Sequence, residues 1–257
     1  MPRSHHGGRH ELGQNFLIHR PTIDRIVSLV DRTSGSILEL GAGDGALTRA
    51  LARLDRRLTA LEIDEHRARR LGAALPRVDV RAADALRHPL DADVIVGNIP
   101  FHVTTPILRH LLSTHGWTHA VLLTQWEVAR KRAGVGGSTM MTAQIAPWFT
   151  VELSGRVPAW AFSPQPSVDG GLLSITRRPA PLVPATDRRA YESFVRAVFG
   201  ARGGNLPSML ASATRTGTPR ARAALGEVGA SARRLPRDLR PEEWAGLWRR
   251  LGRGARS

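Results

Sequence analysis

The stretch ILELGAGDGALT, residues 37–48, constrains the fold of this chain more than any other. An apolar run of strand length stops at three glycines spaced two apart, and a helical segment follows from Ala46. Glycine reaches the positive φ values that a tight turn needs, and its missing side chain lets a ligand approach the backbone. Strand, glycine turn and helix make the first half of a crossover unit, which requires a parallel strand to follow.

The rest of the first 180 residues repeats that alternation. Ile23, Ile26, Val27 and Val30 predict a helix over Pro21–Val30. Strands are predicted over Ser36–Leu40, Leu58–Ile63, Val78–Arg81, Ala92–Val96 and Ala120–Thr124. Helices are predicted over Ala46–Leu54 and over Glu65–Leu75, which ends at Pro76. A further helix carries Val103, Ile107, Leu108, Leu111 and Leu112 on one face. Strands alternating with helices imply a doubly wound, mainly parallel α/β sheet. Val151–Leu153 and Leu172–Thr176 read as two late strands, antiparallel at the sheet edge.

At RRPAPLVPAT, residues 177–186, three prolines within six positions interrupt any regular element. Beyond it Tyr191, Phe194, Val195, Val198 and Phe199 form a helical stripe, and 15 Arg stand against six Asp and Glu, so this part is a small basic helical domain. The expected organisation is a basic, flexible arm over 1–14, a Rossmann-like domain over 15–179 and the helical domain over 180–257. The net charge of +15 suits a polyanionic partner, with counterion release driving association. Without cysteine, disulfides and thiolate metal sites are excluded, and the histidines of the arm lack ligand spacing, so no metal is expected. The longest uncharged run, Ala133–Val151, is rich in Gly, Thr and Gln and contains Pro147, which does not describe a membrane span. A soluble, cytoplasmic, monomeric protein with no membrane partner is expected.

The glycine turn satisfies the dinucleotide pattern G-x-G-x-x-[GA], with Glu62 about 20 residues on, so a nicotinamide enzyme has to be weighed. Two carboxylates shift the reading. Glu39 precedes the first glycine, where an acid suits a cationic ligand better than a pyrophosphate. Asp84 follows the third strand of the alternation, placed to accept from an adenine amino group, while Glu62 ends the second, placed for ribose hydroxyls. Three acids at the carboxyl ends of three successive strands describe a cleft for S-adenosylmethionine, which carries a sulfonium and no phosphate.

Asn98-Ile99-Pro100-Phe101 lies at the end of the fourth strand, beside that cleft. The amino group of adenine is a poor nucleophile because its lone pair is delocalised into the ring. Acceptors at the Asn98 side chain and at the carbonyl of Ile99 or Pro100 would bond its two N–H groups and aim the lone pair at a methyl donor. Pro100 stiffens the loop, and Phe101 offers a face to a base drawn out of its stack. This chemistry needs no residue of unusual pKa.

QNFL (14–17), ELGAGDG, LEID (61–64), ADAL (83–86), NIPF (98–101) and FSPQPSV (162–168) occur in the order and spacing of the ribosomal RNA adenine N6-methyltransferases. Over 14 to about 177 the chain resembles that family, most closely its Erm-type members, which methylate one adenine of 23S rRNA and confer macrolide–lincosamide–streptogramin B resistance. The resemblance implies a Rossmann-like S-adenosylmethionine-dependent methyltransferase core. It implies cofactor contacts from Gln14, Asn15, Leu17, Gly41, Gly43, Glu62, Ile63, Asp84, Ala85 and Asn98. Asn15 and Leu17 would meet the methionine part, Gly41 would lie beneath it, Glu62 would hold the ribose and Asp84 the adenine. Asn98, Ile99, Pro100, Phe101 and Phe162 would form the target site, the two phenylalanines sandwiching the flipped adenine. Arg130, Lys131 and Arg132, at a helix end, would contact RNA phosphates, and the C-terminal domain would bind 23S rRNA, naked or in an assembling subunit. Asp169 stands where the family often has Ser, and Phe101 where Tyr is commoner. A KsgA-type enzyme dimethylating adjacent adenines of small-subunit rRNA is the alternative. A non-catalytic RNA-binding factor would have lost the acids or the NIPF loop, and this chain keeps them.

Overall fold

The computed structural model describes residues 15–252. Its strands, in chain order, are β1 (Phe16–Leu17), β2 (Ile37–Leu40), β3 (Leu58–Glu62), β4 (Asp79–Ala82), β5 (Val94–Asn98), β6 (His119–Gln125), β7 (Phe149–Val157), β8 (Phe162–Ser163) and β9 (Gly170–Arg177). The α-helices are α1 (Arg20–Asp31), α2 (Ala46–Leu51), α3 (Glu65–Ala74), α4 (Thr104–Ser113), α5 (Trp126–Arg132), α6 (Met140–Ile145), α7 (Arg188–Gly200), α8 (Leu206–Thr214), α9 (Thr218–Glu227) and α10 (Pro241–Leu247). None of the described helices is long and apolar enough to cross a membrane.

Seven strands form one sheet in the order β4-β3-β2-β5-β6-β9-β7, and β1 pairs with β8 in a separate antiparallel ribbon. β2 to β6 run parallel to their neighbours, and β9 returns antiparallel against β6, as the alternation and the late-strand patterns imply. The chain starts in the middle at β2, moves outward to β3 and β4, then crosses back to β5 on the other side of β2. The strand order therefore reverses between β2 and β5, and a crevice opens beyond their carboxyl ends at such a reversal. β2, β5 and β6 are buried along almost their whole length, which is why they read as largely apolar runs, with Glu39 the one buried charge among them.

Several boundaries differ from the sequence reading, each for a local reason. The helix expected over Ala46–Leu54 is α-helical only to Leu51 and finishes as a 3₁₀ turn, because Asp55 takes a left-handed conformation (φ 51°) to re-enter the sheet. The helix after NIPF opens with a 3₁₀ turn, Phe101–Val103, before α4 begins. β7 runs nine residues where a strand of three was expected, since its half-exposed face hides the alternation.

By contacts within each, the described residues form two units: 15–129 with Glu152–Thr176, and Arg130–Val151 with 177–252. The first has a core in which Ile23, Ile26 and Val30 of α1 and Leu47 and Leu51 of α2 pack with Ile37, Val94, Val96, Val121 and Leu123 of the sheet. Each of these larger side chains, fully buried, contributes about 1.5–3 kcal/mol. The second unit is built around aromatic rings. Tyr191 of α7 meets Trp148 and Trp248 edge-on at 5.5 and 6.0 Å, and donates its hydroxyl to the Ala143 carbonyl of α6 at 3.0 Å. Phe199 stacks on Trp244.

Candidate active site

At the reversal between β2 and β5, two hollows share Gly41, Glu62 and Pro100 and together make one cleft. The first, of about 70 Å³, is lined by Asn15, Phe16, Leu17, Glu39, Gly43 and Asn98, among others. The second, of about 170 Å³, is an apolar slot whose lining includes Leu40, Leu61, Ile63, Ile99, Val103 and Ile107, together with Asp84 and Ala85.

The glycine turn is shaped by backbone need. Gly41, Gly43 and Gly45 have φ of 73°, 55° and 82°. A Cβ on Gly43 would come within 2.9 Å of the Phe16 ring, so this glycine also makes room for the QNFL segment. Glu62 closes the turn from the neighbouring strand. One carboxylate oxygen accepts the Gly43 N–H at 2.6 Å and the other the Asp64 N–H at 3.0 Å. Each oxygen keeps a second lone pair for a ligand hydroxyl. Asp84 accepts the Leu86 N–H at 2.9 Å, which fixes its carboxylate at the slot.

Glu39 is 1% exposed, and its Oε2 has no hydrogen-bond partner. Burial pushes its pKa up to about 7, with the Thr48 hydroxyl opposing and the Glu62 carboxylate adding to the rise. A buried carboxylate oxygen without a partner costs stability unless a cation or donor meets it. None of the described lining residues of either hollow is Arg or Lys, so a pyrophosphate would face carboxylates without a counter-charge. An adenosine with a sulfonium and an ammonium fits this donor set. The adenine suits the apolar slot, the ribose Glu62, and the cationic end the hollow that holds Glu39.

Asn98 ends β5 and lines the first hollow. Its Nδ2 donates to the Asn15 carbonyl at 2.8 Å, and this bond orients the amide so that Oδ1 is left to accept. Gly97 is required just before it, since a Cβ there would lie 2.6 Å from the Leu40 carbonyl oxygen of the adjacent strand. The Ile99 N–H is tied to the Leu123 carbonyl at 2.9 Å, and the Pro100 carbonyl accepts the Val103 N–H at 3.0 Å. Of the two carbonyls considered as the second acceptor, that of Pro100 already accepts one bond within its own turn.

The remaining sequence-derived residues are placed as follows. Gln14 lies outside the described residues, as does the arm over 1–14. Phe101 and Phe162 line neither hollow. Their rings meet edge to face, with centroids 6.5 Å apart and planes at 72°, and Phe162 is 2% exposed. A base sandwiched between them has to part the two rings. Arg130, Lys131 and Arg132 form the last turn of α5, with Lys131 exposed and the two arginines half-buried, and they belong to the second unit. Asp169 has defined partners: it accepts the Ala159 N–H at 2.8 Å and pairs with Arg156 at 2.7 Å. Phe16 and the apolar wall of the slot were not foreseen. Phe16 stood inside QNFL, between two residues singled out, and only the pairing of β1 with β8 turns it inward.

Sheet order, acid-edged cleft and glycine turn define a Rossmann-like methyltransferase of the S-adenosylmethionine-dependent class. Comparison with known proteins narrows the class. The family model described as ribosomal RNA adenine dimethylase matches residues 5–230. An rRNA adenine N-6-methyltransferase of Corynebacterium diphtheriae is 53% identical over 207 residues, 79% of this chain and 82% of its own. The mycinamicin-resistance protein MyrB of Micromonospora griseorubida is 47% identical over 254 residues, 95% of this chain and 79% of its own. The solved structure of the 23S rRNA methyltransferase ErmE superposes with a TM-score of 0.82 at 34% identity, over 92% of this chain and 99% of that one. The chain belongs to the ribosomal RNA adenine dimethylase family and is an rRNA adenine N6-methyltransferase.

Proposed function

We propose that the protein transfers methyl from S-adenosylmethionine to N6 of a single adenine in 23S rRNA and so confers macrolide–lincosamide–streptogramin B resistance. The observation that carries the chemistry is the Asn98–Asn15 hydrogen bond, which occupies the amide nitrogen of a residue lining the cleft and keeps its Oδ1 for the role of acceptor. With the carbonyl of Ile99 or Pro100 it would bond both N–H groups of the adenine and draw the nitrogen towards tetrahedral geometry. The donor supplies an electrophilic methyl on sulfur, and the chain's own residues supply position and a water-poor surrounding. Relatives whose names carry resistance and 23S rRNA methylation support the choice of substrate over small-subunit rRNA. The second unit and the last turn of α5 are assigned to RNA binding on the strength of their arginines.

The test is methyl transfer from labelled S-adenosylmethionine to protein-free 23S and 16S rRNA, with the modified base mapped by primer-extension stop. One adenine marked in the peptidyl-transferase region of 23S rRNA is expected. Adjacent adenines marked near the 3′ end of 16S rRNA would replace this reading with the ribosome-assembly one.

A further inference from the structure

Trp160 is the largest side chain in the first unit left in solvent, at 59% exposure, and neighbouring Ile18 is 60% exposed. Neither fills the core, yet the turn that carries Trp160 is held on every side. Asp169 accepts the Ala159 N–H, and the Ala161 N–H donates to the Pro158 carbonyl at 2.9 Å. The Ala161 carbonyl accepts from Ile18 and His19 at 2.9 and 3.2 Å, and Phe162 then pairs with Leu17. His19, fixed by a 2.8 Å bond to the Thr22 hydroxyl, meets the indole edge-on with ring centroids 4.7 Å apart. A rigid turn thus holds an aromatic face out into water, two residues before the phenylalanine assigned to the target site.

Beside this shelf lies a hollow of about 170 Å³ whose lining includes His19, Arg25, Gly155, Arg156 and Pro158. Arg25 lies flat on β7, so close that a Cβ on Gly155 would meet its guanidinium at 2.5 Å. Among the described residues Arg25 has no carboxylate partner. Arg156 is oriented by Asp169 and rests over the Trp126 ring at 5.2 Å. An exposed aromatic next to a cationic hollow of that size matches one nucleotide, its base on the ring and its phosphate among the cations.

We infer that Trp160, with Ile18 and His19, is a stacking platform for one unpaired RNA base near the flipped adenine, and that Arg25 and Arg156 receive that nucleotide's phosphate. The inference rests on the RNA substrate proposed above and adds to it a site outside the methyl-transfer cleft. Asp169, the departure from the family pattern, acts here as a positioning residue, since it sets both the Trp160 turn and Arg156.

The experiment is fluorescence anisotropy with a labelled, single-stranded ten-nucleotide oligoadenylate RNA, on the full chain and on Trp160→Ala, Trp160→Phe and Arg25→Gln. Loss of one stacked base weakens binding by roughly tenfold. Trp160→Ala is expected to show that loss, Trp160→Phe to recover most of it, and Arg25→Gln to lower the salt dependence. S-adenosylmethionine affinity should stay unchanged in all three. Equal affinity for Trp160→Ala and the unaltered chain overturns the platform, as does a loss that phenylalanine does not repair. Methyl transfer to 23S rRNA is measured in parallel. Its absence in the unaltered chain sinks the substrate reading alone, because oligoadenylate binding still judges the platform.

Discussion

At the scale of single residues, Asn98 and Glu39 give the sharpest tests of the proposed chemistry. Asn98→Ala removes the acceptor that positions the amine and touches no phosphate. Its turnover should fall about 10²–10³-fold, the usual effect of deleting one aimed hydrogen-bonding group, with rRNA affinity nearly unchanged in a filter-binding titration. Turnover close to normal would remove Asn98 from the reaction. Glu39 predicts a pH effect. Its folded pKa, pushed up to about 7, lies above its unfolded value, so its contribution favours the folded chain at low pH and is lost as pH rises towards 7. A cationic donor reverses that by partnering the ionised form. S-adenosylmethionine binding should tighten as pH rises through about 7 and release a proton, read by calorimetry in buffers of different ionisation enthalpy. Glu39→Gln should abolish the release, and a release that survived it would belong to another group.

At the scale of elements, the site depends on how closely β2 and β5 approach. Gly97 is buried and a Cβ there would meet the Leu40 carbonyl oxygen, so Gly97→Ala has to push two central strands apart. A loss of about 1–3 kcal/mol is expected, read as a lower urea midpoint. Activity should fall further than the unfolded fraction explains, because Asn98 moves with the strand. These elements were legible in the sequence. β2, β3, β5 and β6 are mainly apolar runs followed by a turn or a polar residue, and α1 and α4 show apolar side chains every three or four positions. β1 and β8 were not, because a two-residue strand has no period to detect. Their pairing joins QNFL to FSPQPSV, segments nearly 150 residues apart.

For the whole molecule the dominant quantity is charge. With +15 on 257 residues, association with RNA should weaken steeply as salt rises. Neutralising Arg130, Lys131 and Arg132 together should flatten the slope of log affinity against log salt by about two, the value for three phosphate contacts on a single strand. A slope that stayed the same would make the end of α5 a solvated face. Arginine supplies nearly all of this charge, and its planar guanidinium suits both phosphate oxygens and aromatic faces. Arg156 over Trp126 and Arg177 over Phe149 show the second use.

Local patterns in the chain were enough for the α/β alternation, the glycine turn, the acids that follow the strands and the NIPF loop. Each of these depends on neighbours within a few residues: glycine on its own φ, a strand on its run of apolar side chains, an acid on the strand it ends. Tertiary structure alone decided which lone pairs remain for a ligand. The Asn98 amide is turned by a carbonyl 83 positions away, Glu62 is shared between the glycine turn and the cleft, and Glu39 is stripped of water by strands on either side. It also decided that Phe162 is buried and Trp160 exposed, although both are aromatics in one proline-flanked segment. Hydrogen-bond partners and solvent exposure are properties of the packed neighbourhood, and that neighbourhood is assembled from parts of the chain that no local pattern connects.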